Sequence, residues 1–115
     1  MPRPASQPVF AAPEGSARLF AALGDETRLR LVARLCDEGP LSVTALAGGF
    51  PVTRQAITKH LRMMEEAGLL RSARRGRESV WQLSPDGLDD ARRYLNLVSQ
   101  RWDAALNRLR AFVEE

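Results

Sequence analysis

The break at Gly48-Gly49-Phe50-Pro51 constrains this chain more than any other feature, because helical patterning resumes almost immediately beyond it. Before the break, Ser42 is a natural N-cap for a short helix carrying Val43, Leu46 and Ala47. After it, Thr53 opens a helix of about 15 residues that closes at Gly68, a residue suited to a left-handed C-terminal stop. Leu46, Ala47, Phe50, Val52 and Ile57 fall where two helices joined by a tight turn must pack, with the small Ala47 at the crossing. Leu69 to Ala73 and Glu78 to Leu83 then read as two short strands, Val80 and Trp81 favouring the extended form. The polar link Arg74-Arg75-Gly76-Arg77 contains the glycine that a hairpin needs. Helix-turn-helix followed by a hairpin is a winged helix, so the expected class is mainly α with a small β-hairpin.

The flanks complete the plan. Four of the seven prolines lie in residues 1–15, so a flexible Pro-rich tail is expected there. From Ser16 a helical face of Leu19, Phe20 and Leu23 runs to Gly24. Asp25 caps the next helix, whose apolar positions are read as Leu29, Val32, Leu35 and Cys36, and Gly39-Pro40 ends it. Ser84-Pro85-Asp86 starts a last helix that runs to the C-terminus. In it Leu88, Ala91, Leu95, Val98, Trp102, Ala105, Leu109 and Phe112 recur at alternating steps of three and four, a heptad seam. That stripe exceeds what one small domain needs to cover, so a homodimer through terminal helices is expected, with Leu88, Leu95, Val98, Trp102, Leu109 and Phe112 at the interface. The alternative is a helix folded back wholly onto its own core. The expected organisation is therefore a tail over 1–15, a winged helix-turn-helix over 16–84 and a dimerisation helix over 85–115.

Composition narrows the function. With 115 residues there is room for one globular domain. No apolar run approaches the ~20 residues that cross a bilayer, and the first 15 residues lack the apolar core of a secretory signal. A single cysteine makes no internal disulfide, which fits a reducing cytoplasm. The net charge of +3 is uneven: residues 52–77 hold seven basic and two acidic side chains, +5, so the remaining 89 sum to −2. Such a compact basic segment points to a polyanion-binding surface.

On a helical wheel the segment after Thr53 has two faces. Ile57, Leu61 and Met64 cluster on one; Gln55, Thr58, Lys59 and Arg62 cluster on the other. Gln bonds adenine bidentately, Arg and Lys reach guanine O6 and N7, and Thr bonds phosphate or touches a thymine methyl, so the outer face suits a major groove. Thr53 and Arg54 sit in the first turn, where backbone N–H groups favour a phosphate. Arg74, Arg75 and Arg77 are placed on DNA backbone or minor groove; the bland reading of the same residues is a charged edge that blocks sheet aggregation.

Other reactive side chains read as structural. His60 borders the buried face and is expected half-buried and hydrogen-bonded; Cys36 is expected as a small buried hydrophobe, and Trp81 and Trp102 as core or interface. Met64 is placed inward. Asp89-Asp90 and Glu65-Glu66, as sequence neighbours on helices, read as solvated charge. No Gly-rich phosphate loop, second histidine or cysteine pair supports an enzyme, and neither cofactor nor metal is expected.

The runs ALGDETRLRLVARL and LSVTALAGGFPVTRQAITKHLRMMEEAGLL resemble the ArsR/SmtB family of bacterial winged-helix repressors, the likeness covering roughly residues 16–83. The resemblance implies a cytoplasmic homodimer whose fourth helix, here the one holding Thr53, Arg54, Gln55, Thr58 and Lys59, reads double-stranded operator DNA. Ser42 matches a position that touches the DNA backbone. Metal-sensing members have a cysteine pair where this chain has Leu41, Ser42, Val43, Thr44 and Ala45, and others use His and carboxylates on a terminal helix that here lacks both His and Cys. The ending QRWDAALNRLRAFVEE resembles non-metal autorepressors with a long dimer helix. The expected function is a sequence-specific repressor on a two-fold symmetric operator. Two other readings remain: a winged-helix protein-interaction module, and a ligand- or redox-responsive regulator using Cys36 or a cavity at the dimer interface.

Overall fold

Caps and glycines set the element boundaries before packing does. The computed structural model describes residues 14–114, with side chains described from Ser16 to Glu114. In order these form α1 (Glu14–Leu23), α2 (Glu26–Glu38), β1 (Leu41–Ser42), α3 (Val43–Ala47), α4 (Arg54–Glu66), β2 (Leu70–Arg75), β3 (Glu78–Leu83) and α5 (Pro85–Glu114). The expected tail falls on residues outside the described ones, except Glu14 and Gly15, which open α1.

Asp25, Ser42 and Thr53 each cap a helix by accepting a bond from the backbone N–H three residues on, at 3.0, 3.2 and 3.1 Å. Each bond satisfies one of the donors that a helix start leaves open. The Arg28 backbone N–H, and secondarily the Arg28 charge, hold the Asp25 carboxyl below the usual carboxylate range. At the other end of α4, Ala67 is the C-cap and Gly68 follows at φ 88°, the left-handed stop expected there.

Leu19, Leu31, Leu35, Leu46, Ile57, Leu61, Met64, Leu69, Leu70 and Trp81 form one core shared by α1 to α4 and the sheet. Ile57, Leu61 and Met64 face inward as the wheel predicts, and Met63 is exposed. Helix α2 corrects the sequence reading. Its buried residues are Leu31 and Leu35, while Leu29 is 51% exposed and Cys36 is exposed instead of buried. At ~100° per residue Leu29 and Cys36 lie roughly 140 to 160° from Leu31, so one narrow stripe cannot bury all of them. Val52 is also exposed, because the chain reverses at the turn before α4 begins.

The sheet holds one strand more than the hairpin predicts. Order is β1-β3-β2, all antiparallel, with Leu41 opposite Trp81 and Ser42 opposite Val80. β2 runs to Arg75, opposite Glu78, so Gly76 and Arg77 alone form the turn, Gly76 at φ 62°. A two-residue hairpin turn needs positive φ, which glycine adopts without steric cost.

Helix α5 has 30 residues and is about 45 Å long, while its packing against the body is confined to the first half. Gly87 is buried, and Ala91 packs against the core. Phe20 of α1 and Tyr94 of α5 pair their rings at 5.4 Å between centroids. From Ser99 to Glu114 every described residue is exposed, Trp102, Leu109 and Phe112 included.

Candidate nucleic-acid interface

A cleft of about 620 Å³ opens between α3, α4 and the hairpin, and most of the residues expected to meet DNA line it. Ser42 caps α3 and Thr44 lies within it; Arg54, Gln55, Thr58 and Arg62 come from α4, and Arg77, Glu78 and Ser79 from the wing. Lys59 borders an adjoining cleft with Gln55, Thr58 and Arg62. Thr53, Arg74 and Arg75 stand outside these clefts: Thr53 before the first turn of α4, the two arginines exposed at the end of β2. Trp81 also borders the main cleft, with its ring buried and its indole N–H without a hydrogen-bond partner among the described residues.

Local bonds decide what each polar side chain has left to offer. The oxygens of Ser42 and Thr53 accept cap bonds, which leaves their hydroxyl hydrogens able to donate outward. Thr58 instead donates to the Arg54 carbonyl at 2.9 Å, back-bonding to its own helix. Its hydroxyl hydrogen is thereby engaged. The ion pairs Arg30–Glu26, Arg34–Glu38 and Arg93–Asp90 engage none of the cleft arginines. The positive charge of Arg54, Arg62 and Arg77 is therefore not neutralised by an ion pair among the described residues. Glu78 is the acid within the same wall.

Two arginines that the sequence reading passed over hold this surface in place. Arg34 of α2 donates to Glu38 at 2.8 Å and to the carbonyls of Ala45, Leu46 and Gly48 at 3.1, 3.1 and 3.3 Å. Those carbonyls end α3, where a helix leaves acceptors open and its dipole favours a cation. The same Arg34 bond keeps the Glu38 carboxyl below its ordinary value. Arg28 reaches the Ala22 carbonyl at the end of α1 with Nε, and His60 Nδ1 on α4 with Nη1 at 3.3 Å. A guanidinium only donates, so Nδ1 is the acceptor. His60 is thus half-buried and hydrogen-bonded, as the sequence predicts. Glu65 is no merely solvated acid: it accepts from Ser72 of β2 at 2.9 Å and ties α4 to the wing. The (i, i+4) spacing of Arg34 and Glu38 is visible in sequence, but it reads there as an ordinary surface pair.

Helix-turn-helix geometry and a wing are matched by known proteins. A family model described as a helix-turn-helix domain matches residues 23–73. The HTH-type transcriptional regulator Rv2034 of Mycobacterium tuberculosis is 42% identical over 71 residues, 62% of this chain and 65% of that protein. The arsenical resistance operon repressor of Escherichia coli is 37% identical over 68 residues, 59% of this chain and 58% of that protein. Among solved structures, an ArsR-like transcriptional regulator from Rhodococcus sp. RHA1 superposes with a TM-score of 0.68 at 35% identity, covering 85% of this chain and 92% of that one.

The chain belongs to the ArsR family of winged-helix transcriptional regulators.

In this ArsR-family chain the matched region spans 53 to 65% of the length of the first three curated relatives it matches. The family model ends at Ala73, within the wing, so the rest of the hairpin and α5 lie beyond it. Among the described residues, no group of three or more His, Cys, Asp or Glu side chains gathers as a metal site. No helix among them is long and apolar enough to cross a membrane.

Proposed function

We propose that this ArsR-family protein is a cytoplasmic, homodimeric repressor that binds a two-fold symmetric operator without using the metal sites of its arsenic-responsive relatives. One observation carries the reading: the donor-rich face of α4, the N-terminal end of α3 and Arg77 of the wing converge on one cleft. A helix flanked by phosphate-binding groups on both sides is the arrangement that places base-reading side chains in a major groove. Gln55, Lys59 and Arg62 read base edges, with the Thr58 methyl against thymine; Ser42, Thr53, Arg54, Arg74, Arg75 and Arg77 hold phosphates. Repression, the action named for the Escherichia coli relative, would follow in this chain from occupying promoter DNA. The exposed Leu95, Trp102, Leu109 and Phe112 of α5, together with Leu88 and Val98, supply the dimer contact. Two-fold symmetry then sets the two α4 helices about one DNA turn, ~34 Å, or a multiple apart.

Selection of bound sequences from a random duplex library at near-physiological salt, followed by titration of the selected site, tests this. A two-fold symmetric consensus bound by one dimer is the expected result. Weak binding with no sequence preference overturns it and favours a protein-interaction module.

The exposure of Cys36 favours one addition, in which the thiol adjusts DNA affinity. Oxidant that changes affinity in the wild type and not in Cys36→Ser supports that addition; no change in either removes it.

A further inference from the structure

We propose that Gly87 is a positioning residue that fixes the separation of the two α4 helices in the dimer, and hence the half-site spacing the protein accepts. The inference rests on the dimer and two-half-site reading above. It starts from a glycine in the first turn of α5, its third residue, a position that imposes no positive φ and so does not by itself call for glycine. The reason for glycine lies across the contact. A methyl group at residue 87 would overlap the carbonyl oxygen of Gly68 and stand 2.9 Å from its carbon and 3.4 Å from the Leu69 Cα. Gly68 is the stop residue of α4, at φ 88°. The start of the dimer helix and the end of the reading helix therefore touch backbone to backbone.

Hydrogen bonds lock the same joint. Ser84 N–H, the residue before α5, donates to the Leu69 carbonyl at 2.8 Å. Leu69 N–H in turn donates to the Met64 carbonyl inside α4 at 2.9 Å, and Gly68 N–H to the Glu65 carbonyl at 3.0 Å. Side chains absorb small displacements by changing rotamer; main chain in van der Waals contact has no such freedom. A shift of α5 at this point is accordingly handed on to α4. The dimer face begins at the next residue, Leu88, and its first exposed position, Leu95, stands eight residues beyond Gly87, about 12 Å along the helix axis. Each dimer contains the joint twice, so a displacement of about 1 Å, the least that relieves a methyl overlap, acts at both half-sites. Recognition constellations tolerate misplacement of only about 0.5 Å.

The test compares wild type with Gly87→Ala on the selected operator, on a duplex holding one half-site, and on operators with one base pair added or removed between half-sites. Light scattering and far-UV circular dichroism accompany the titrations to show that the variant is a folded dimer. Gly87→Ala is expected to bind the single half-site within about threefold of wild type, and to lose about tenfold or more on the native spacing or to prefer another spacing. A folded variant with wild-type affinity and wild-type spacing preference overturns the proposal. If wild type itself prefers two half-sites no more than one, the two-half-site reading fails independently of Gly87. Should the variant not fold, spin labels at Glu66→Cys and Arg92→Cys in a Cys36→Ser background, diluted with unlabelled protein, measure the joint in a chain that keeps Gly87. One narrow distance, unchanged by operator DNA, is expected; a broad or DNA-dependent distribution overturns a rigid joint.

Discussion

Ile57, Leu61 and Met64 on α4 are fully buried, whereas Leu95, Trp102, Leu109 and Phe112 on α5 are 54, 68, 57 and 77% exposed, although both sets recur at helical spacing. The difference lies in what faces each stripe. Helix α4 is enclosed by α1, α2, α3 and β2, so its apolar face finds partners within the chain. Helix α5 leans on the body through Gly87, Ala91 and Tyr94 and then extends past it. Helical periodicity states that a stripe is to be covered; it does not say by what.

The sharpest contrast comes from truncating one residue of each stripe. Leu61→Ala should destabilise the protein by about 2 to 5 kcal/mol at any protein concentration, because it removes buried volume that the surrounding core refills only partly. Urea denaturation at two protein concentrations checks this. Trp102→Ala combined with Phe112→Ala should weaken dimerisation at least tenfold and reduce the concentration dependence of the melting temperature, while the monomer keeps its circular dichroism spectrum. Analytical ultracentrifugation that finds an unchanged dimer would break the comparison, leaving the α5 stripe without its assigned role.

The outer face of α4 allows a finer division. Gln55→Ala should cost about 1 to 3 kcal/mol of discrimination between the selected operator and a single-base variant, with little effect on random DNA. Arg77→Ala should weaken both equally and lower the slope of log affinity against log salt by about 1. Fluorescence anisotropy over a salt series separates the two, and identical behaviour of the variants would erase the distinction between base reading and phosphate holding.

The smallest effect is expected at the α2 cap. The Asp25 carboxyl is held below its ordinary range chiefly by the Arg28 backbone N–H, so its stabilising contribution is full above the unfolded-state value and is lost as pH falls through the folded one. Glu38 behaves with the same sign through its bond to Arg34. Asp25→Asn should therefore differ most from wild type at neutral pH, and the two urea midpoints should converge as the pH falls below about 4. A difference that grows on acidification would reverse the sign and exclude a carboxylate cap.

Much of this was legible in the chain. The caps at Asp25, Ser42 and Thr53, the stop at Gly68, the Gly76 hairpin and the inward set of α4 all follow from local rules, since backbone donors and steric limits act over three or four residues. Of the expected DNA-facing side chains, Ser42, Arg54, Gln55, Thr58, Arg62 and Arg77 line one cleft; Thr44, its neighbour there, has as its only sequence signal a place two residues after the Ser42 cap. Less legible were contacts between residues far apart in the chain. Leu29 and Cys36 were misplaced because α2 carries two apolar flanks and periodicity alone does not choose between them. The pairing of Leu41 with Trp81 needs two segments 40 residues apart to become neighbours.

By itself, then, the sequence determined the caps that start α2, α3 and α4, the stop of α4, which face of α4 is apolar and where positive charge collects, because these depend on neighbours within a turn or two. Only the tertiary structure decided that Arg34 would close the end of α3, that Glu65 would hold the wing through Ser72, and that Gly87 would lie against Gly68. Those contacts join elements whose relative positions are set by packing the whole core at once, and no local pattern encodes them.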